Sequence, residues 1–183
     1  MDRRTEILTT AAGLFREKGF HGVGVDEIGK RVGVSGPAIY HHFAGKDEIL
    51  ATLFNDAMDK VAVETTGMFD TPQEELDFLV RHHARFVVGH RELVAIYAHE
   101  HRSLVEPWRK MFTGRTRAHA ERWEDVVARV HPQADRTDVA VAVQAAIGLL
   151  HSVVLWPPKL LEDPGTHERL VAHALGALDA VAR

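Results

Sequence analysis

Apolar residues recur at intervals of three and four along almost the whole chain, and the alternating pattern of a surface strand is almost absent. This period is typical of helices with one buried face. Glycine and proline fall at the breaks between such segments, where helices usually start or stop. The pattern therefore predicts an all-α protein with nine helices.

The first predicted helix is followed by two short ones. TEILTTAAGLFREKGF stops at Gly19, and VDEIGKRV stops at Gly33. The third, GPAIYHHF, has Ser35 at its N-cap and Pro37 in its first turn, where a missing N–H costs little. The turn GVS between the second and third helices begins with a glycine, which tolerates positive φ. This arrangement indicates a helix-turn-helix.

Six further helices are predicted to follow. The fourth is KDEILATLFNDAMDKVAVETT, and a capping box formed by Thr71 and Glu74 opens the fifth, which ends near Gly89. The sixth to ninth are ELVAIYAHEHRSL, Pro107 to about Val130, RTDVAVAVQAAIGLLHSVVLW and THERLVAHALGALDAVA. We place a domain boundary within the fourth helix, between residues 1–50 and residues 51–183.

Composition narrows the class of protein. The 183 residues are 45% hydrophobic and 26% charged, which suits a packed soluble core. The chain has no cysteine, so disulfides and thiolate metal sites are excluded. No apolar run reaches the ~18 residues of a membrane span, and the N-terminus lacks the apolar region of a signal peptide. We therefore expect a cytoplasmic protein without a membrane partner.

Charge does not by itself indicate nucleic acid. The net charge is −4, and residues 1–47 carry seven Lys or Arg against six Asp or Glu. Such a balance argues against non-specific coating of nucleic acid but leaves room for a small basic face.

The pattern of titratable residues does not indicate an enzyme. Thirteen histidines occur, yet no two have the His-x-x-x-His spacing of zinc ligands on one helix. We find no nucleophile with a base and no paired catalytic carboxylates. We therefore expect no catalytic residues, no metal and no cofactor, while His99, His119 or His151 stays a candidate for one polar contact to a ligand.

Apart from Ile39 and Phe43, few side chains of the third helix are expected to be buried. Small residues at its start would let it approach a major groove closely, and tyrosine or histidine can donate to phosphates or base edges. Lys46 begins the fourth helix, where the helix dipole favours a phosphate. The candidate DNA-binding residues are Ser35, Gly36, Pro37, Ala38, Tyr40, His41, His42 and Lys46.

The order of motifs from Ile7 through Gly19-Phe20, Gly33-Val34-Ser35 and Tyr40-His41-His42-Phe43 to Lys46 and Leu50 resembles the N-terminal domain of the TetR family of bacterial transcriptional regulators. The resemblance covers about residues 3–52. It implies a homodimeric repressor that binds a palindromic double-stranded DNA operator and leaves it when a small molecule enters the C-terminal domain. Val23-Gly24, Gly29 and Gly36-Pro37 depart from the residues common in the family.

A second resemblance concerns the ligand. The stretch RELVAIYAHEHRSL with PWRKMF, followed by AERWEDVV, is similar to actinobacterial members that sense fatty-acid or steroid acyl thioesters. It implies a hydrophobic or acyl-thioester inducer. Large apolar side chains with a few polar groups usually line such sites, although most such residues simply form core. The candidate lining residues are Phe86, Tyr97, Trp108, Met111, Phe112, His119, Trp123, Ile147 and His151.

The eighth helix is apolar nearly all round, so it needs a cover on more than one side. A two-fold four-helix interface with the ninth helix would provide it, and packing within one protomer is the alternative. The candidate dimer residues are Ala140, Ala145, Gly148, Leu149, Leu170, Ala174, Ala177, Leu178 and Val181.

A transcriptional activator, a DNA-binding protein without a ligand, and a helical ligand carrier or enzyme remain alternative functions.

Overall fold

The computed structural model of the protein describes residues 2–64 and 67–182. Over these ranges the chain forms ten α-helices, three 3₁₀ segments and no strand. The helices are α1 (Arg3–Lys18), α2 (Val25–Val32), α3 (Gly36–Ile39), α4 (Lys46–Glu64), α5 (Pro72–Gly89), α6 (Arg91–Glu100), α7 (Trp108–Val130), α8 (Arg136–His151), α9 (Pro158–Leu161) and α10 (Thr166–Asp179). Thr65 and Thr66, which we predicted to end the fourth helix, lie outside the described residues.

The helix ends that are set by local chemistry are confirmed. Gly19 and Gly33 follow α1 and α2 with φ of 72° and 80°. Thr71 accepts a hydrogen bond from the Glu74 N–H, and Glu74 in turn accepts one from the N-cap backbone N–H, which completes the predicted capping box. These signals act within one turn of helix, so the sequence alone is enough to place them.

Two elements differ from the prediction. α3 is a single turn, and Tyr40 to His42 continue it through 3₁₀-type bonds such as His42 N–H to the Ile39 carbonyl at 2.9 Å. The additional helix α9 follows Pro157, and Pro158 at its first position fixes a helical φ. The predicted sixth, eighth and ninth helices each end in a 3₁₀ segment.

The chain divides into two compact units. The N-terminal unit comprises the chain up to Met58 with Glu92–Gly114, and the C-terminal unit comprises Asp59–Arg91 with the chain from Arg115 onward. α4 and α7 each continue from one unit into the other. The proposed boundary at residue 50 concerns function and stays a prediction.

The core of the N-terminal unit joins the helix-turn-helix to α4, α6 and the start of α7. Ile7, Phe15 and Ile39 are buried there together with Phe54 and Phe112. The helix-turn-helix therefore packs into one core with α6, which follows it by some fifty residues in the chain.

In the C-terminal unit α5, α8 and α10 pack against one another. The stretch Arg136–Leu155 has a mean hydropathy of 1.8 over its most apolar window, of which 33% is buried. By length and composition it could cross a membrane, contrary to our expectation that no run is long enough, because Gln144 and His151 interrupt it only lightly. Within the protomer one side of this stretch packs against α5 and α10.

Candidate functional site

α2 and α3 approach closely at two glycines. A Cβ placed on Gly29 would lie 3.1 Å from the backbone of residues 34–36, and one on Gly36 would collide with the Asp26 carboxylate. Gly33 between the helices has the left-handed conformation that the turn requires. The structure thus has the compact helix-turn-helix geometry that the sequence indicated.

The outer side of α3 and its following turn is open. Ser35, Pro37, His41 and His42 are exposed, and Tyr40 is 58% exposed although it is a large aromatic residue. Ser35 occupies the N-cap position without a side-chain cap bond, so its hydroxyl is available. Ala38 is half-buried. Gly36 is buried beneath Asp26, so our expectation that it faces a groove is corrected.

The turn that carries these side chains is held from α1. Arg4 donates from Nη1 to the His42 carbonyl at 2.9 Å, and its guanidinium lies 4.2 Å from the centroid of the Phe43 ring. The sequence reasoning missed this residue, since nothing local to Arg4 shows which distant carbonyl it reaches. Arg4 positions Tyr40, His41 and His42 relative to α1.

The Lys46 side chain binds backbone groups of the loop between α1 and α2. Its Nζ donates to the carbonyls of Phe20 and Val23, both at 3.0 Å, and lies 4.5 Å from the Phe20 ring centroid. These bonds use two of the three N–H donors of the ammonium group, and the side chain is half-buried. The loop between α1 and α2 is thereby fastened to the start of α4. The contact of Lys46 with a phosphate stays a prediction.

The same loop is fastened to α6. The Phe20 N–H donates to Glu100 Oε1 at 2.9 Å, and Ser103 Oγ lies 3.3 Å from His21 Nε2. Arg16 on α1 forms an ion pair with Glu92 at the start of α6. α4 and α6 thus hold the segment that leads into the helix-turn-helix.

The candidate ligand residues fall into two groups. Tyr97 and Phe112 pack around Phe54 in the N-terminal unit, with ring centroids 5.8 and 5.3 Å from it; Trp108 is half-buried there and Met111 is exposed. Phe86, His119, Trp123, Ile147 and His151 belong to the C-terminal unit. His99 is exposed.

Three histidines meet inside the C-terminal unit. His83 Nδ1 lies 3.2 Å from His119 Nε2, and His83 Nε2 lies 3.0 Å from His151 Nε2. His83 is 3% exposed. These residues, which we call the histidine cluster, come from α5, α7 and α8. The sequence reasoning missed His83, although it shares the spacing of the buried residues Leu79, Val80 and Val87.

The environment keeps the histidine cluster neutral at pH 7. Burial, reinforced by the neighbouring imidazoles, lowers the pKa of His83 well below its usual value. Burial lowers the pKa of His119 and of His151 to about 4, and Arg122 contributes at His119. His83 directs a different ring nitrogen to each neighbour, so the three rings do not converge on one point. Over the described residues no group of His, Asp and Glu has the arrangement of a metal site.

The surfaces of α8 and α10 correct part of the candidate interface. Leu170, Ala174 and Leu178 are at most 1% exposed inside the protomer, because this stripe of α10 packs against α5 and α8. They cannot form the outer face. Ala145 and Gly148 are exposed, and Ala140, Leu149, Ala177 and Val181 are half-buried. Val141 and Leu155, which we did not name, are 63% and 79% exposed.

Comparison with known proteins agrees with this geometry. Residues 7–53 match the model of bacterial regulatory proteins of the tetR family, and residues 70–157 match the model of the tetracyclin repressor-like C-terminal domain. The HTH-type transcriptional repressor KstR2 of Mycobacterium tuberculosis is 29% identical over 129 residues, covering 68% of this chain and 64% of KstR2. The match thus spans just under two thirds of that curated relative.

Two solved structures share the fold over nearly their full lengths. The TetR family transcriptional regulator PfmR from Thermus thermophilus is 25% identical with a TM-score of 0.80, covering 97% of this chain and 99% of PfmR. AibR, solved with isovaleryl coenzyme A and operator DNA, is 24% identical with a TM-score of 0.78, covering 98% of each chain. With both family models matched in chain order on a helix-turn-helix and a helical C-terminal region, the chain belongs to the TetR family of transcriptional regulators.

Proposed function

We propose that this regulator is a cytoplasmic homodimeric repressor that binds a palindromic operator and releases it when a small apolar molecule binds the C-terminal unit. The observation that carries the proposal is the open side of α3 and its following turn, where Tyr40 is 58% exposed beside exposed His41 and His42. An aromatic donor held on a rigid turn at the surface suits contacts to phosphates and base edges.

Dimerisation is supported by the uncovered apolar side of α8. Val141 and Leu155 are exposed, and a Cβ added to Gly148 would meet no atom within 4 Å in the protomer. On α10 the exposed positions Ala172 and Gly176 are equally small. Small residues allow helices of two protomers to pack closely, and a closed two-fold pairing would cover the apolar surface of both copies.

Release requires that the ligand favour a state in which the recognition turns no longer fit two successive major grooves. α4 and α6 are suited to transmit such a change, because Lys46 and Glu100 hold the α1–α2 loop from two sides. A ~100-fold loss of operator affinity would require about 2.7 kcal/mol of coupling between ligand and DNA. An acyl thioester is one candidate inducer, since the structural neighbour AibR was solved with isovaleryl coenzyme A.

Footprinting on DNA from the chain's own upstream region tests the proposal. We expect a two-fold symmetric protected site, lower transcription in vitro from a promoter that contains it, and loss of protection when apolar metabolites are added. Increased transcription would make the protein an activator, and protection that no compound relieves would make it ligand-independent. Absence of protection on all duplexes would contradict DNA binding by this surface.

A further inference from the structure

The C-terminal unit contains a buried hydrogen-bond donor with no acceptor. Trp123 is fully buried, and its Nε1 has no hydrogen-bond partner over the described residues. The indole N–H can only donate, so this position lacks an acceptor atom rather than a donor. Buried polar groups are paired in nearly all native structures, and each exception needs an explanation.

This donor lies beside the histidine cluster. The Trp123 ring stands edge to face against His83 at 5.5 Å between centroids, and His119 lies one turn earlier on the same face of α7, 6.0 Å from Trp123. His119 directs its Nε2 toward His83. The unpaired Trp123 N–H therefore lies next to two imidazoles in the interior of the C-terminal unit.

The lack of charge around Trp123 and the histidine cluster limits which ligand groups can bind there. All three imidazoles are neutral at pH 7 because burial disfavours their protonated forms. Arg122, the cation that acts on His119, is engaged with Glu75 at 3.7 Å. A buried carboxylate would therefore lack a free cationic partner, which is strongly unfavourable. A neutral acceptor has no such cost.

We propose that the histidine cluster and Trp123 receive the uncharged carbonyl oxygen of an otherwise apolar ligand, such as a ketone, an ester or a thioester. Trp123 Nε1–H donates to this oxygen. The hydrocarbon part of the ligand meets apolar side chains such as Phe86 and Ile147 of the same unit, which are buried and half-buried. This inference rests on the proposed function, since it names the chemical class of the inducer.

The test is a titration followed by NMR on the intact chain with ¹⁵N-labelled tryptophan. The chain has three tryptophans, so W108F and W156F assign the Trp123 indole resonance by elimination. The probes are methyl ketones from hexanone to dodecanone, with the carboxylates and alkanes of matched length. We expect the ketones to move the Trp123 indole proton downfield, and the alkanes and carboxylates to leave it in place.

Affinity supplies a second readout. W123F should bind the ketones about tenfold more weakly, which is the size of one neutral hydrogen bond. W156F is the matched control, because Trp156 Nε1 already donates to Ser152 Oγ at 3.0 Å, and its ketone affinity should not change. If W123F does not fold, the resonance of the intact chain still decides.

Three outcomes would overturn the inference. The first is a Trp123 resonance that no ketone moves, which is expected if a buried water is the only acceptor of the indole N–H. The others are carboxylates that bind as tightly as ketones, and a folded W123F with unchanged ketone affinity. The proposed function fails separately, when the ligand-free protein protects no operator. Ketone binding without operator binding would leave this inference standing, and operator release with an unmoved Trp123 resonance would overturn the inference alone.

Discussion

At the scale of single residues, Tyr40 is the side chain whose exposure most needs a partner. It is 58% exposed, so Tyr40→Ala should leave the free energy of unfolding nearly unchanged. Loss of a hydrogen bond to a charged phosphate should weaken operator binding by about 1.5–3 kcal/mol, roughly tenfold or more. Fluorescence anisotropy with labelled operator measures the affinity. Met68→Ala, at a fully exposed position, is the control, and equal affinities of the two variants would contradict the assignment.

Lys46, in contrast to Tyr40, is bonded to the backbone of its own protomer, so its substitution should affect stability. Lys46→Met removes the side-chain donor to the Val23 carbonyl and leaves the Phe20 carbonyl with only the long bond from the Val23 N–H at 3.4 Å. We therefore expect it to lower the free energy of unfolding by about 1–3 kcal/mol. Chemical denaturation measures this loss, and Lys60→Met, at an exposed position of the same helix, should show little. The salt dependence of operator binding reports separately on the third N–H of Lys46, and an unchanged slope would mean that Lys46 contacts no phosphate. A slope smaller by about 0.9 would instead mean that Lys46 neutralises a phosphate.

At the scale of elements, α5, α7 and α8 are joined by three imidazoles whose protonation opposes folding. Unfolded histidine takes up a proton near pH 6.5, whereas His119 and His151 in the folded chain do so only near pH 4. Between these values the unfolded state binds more protons. The free energy of unfolding therefore has its full value above about pH 6.5. It decreases as the pH drops toward 4, by up to about 1.4 kcal/mol per pH unit for each histidine.

His119→Gln should make this pH dependence shallower. The pKa values of Asp135, Asp163 and Glu168 are also lowered, so the difference in slope between variant and parent is the readout. Urea denaturation at several pH values measures it. A substitution without a titrating group, Met68→Ala at a fully exposed position, should keep the parental slope. A slope that His119→Gln does not change would mean that this imidazole is protonated normally in the folded chain.

The outer side of α8 gives a further prediction. A Cβ added to Gly148 would meet no atom within 4 Å in the protomer, so Gly148→Glu should fold. In the proposed dimer it would bury an unpaired carboxylate at a cost of about 3 kcal/mol or more. Sedimentation velocity should show monomers. Gly114→Glu, at another helical glycine with open space, should remain dimeric. A dimeric Gly148→Glu variant would place the interface elsewhere.

The elements also show what sequence can predict. Gly19, Gly33 and the Thr71–Glu74 box set helix ends through contacts within one turn, so their positions follow from local chemistry. A stripe at three- and four-residue spacing shows that a helix buries one face but not against what. Leu170, Ala174 and Leu178 form such a stripe, and it faces α5 and α8 rather than outward.

The histidine cluster could not be predicted for a related reason. Its three members come from helices far apart in the chain, and each alone looks like an ordinary histidine at a buried or half-buried position. Lys46 and Arg4 likewise bind backbone carbonyls more than twenty residues away. Contacts of this kind depend on how helices pack, which periodicity within one helix does not encode.

At the scale of the whole molecule, the proposed operator binding depends on two copies presenting their α3 turns together. The separation of two half-sites on DNA, one helical turn or about 34–36 Å, can be matched only by a dimer of fixed geometry. α3 has only four residues, so one copy with its following turn can make few contacts to DNA. A single protomer should therefore bind an operator weakly and with little sequence preference.

Sedimentation equilibrium of the protein with one labelled operator duplex tests this claim most directly. We predict that protomers load in pairs, with a complex mass of one duplex plus an even number of chains, and that Gly148→Glu forms no stable complex at the same concentration. A complex of one chain per duplex, formed with undiminished affinity, would contradict the account.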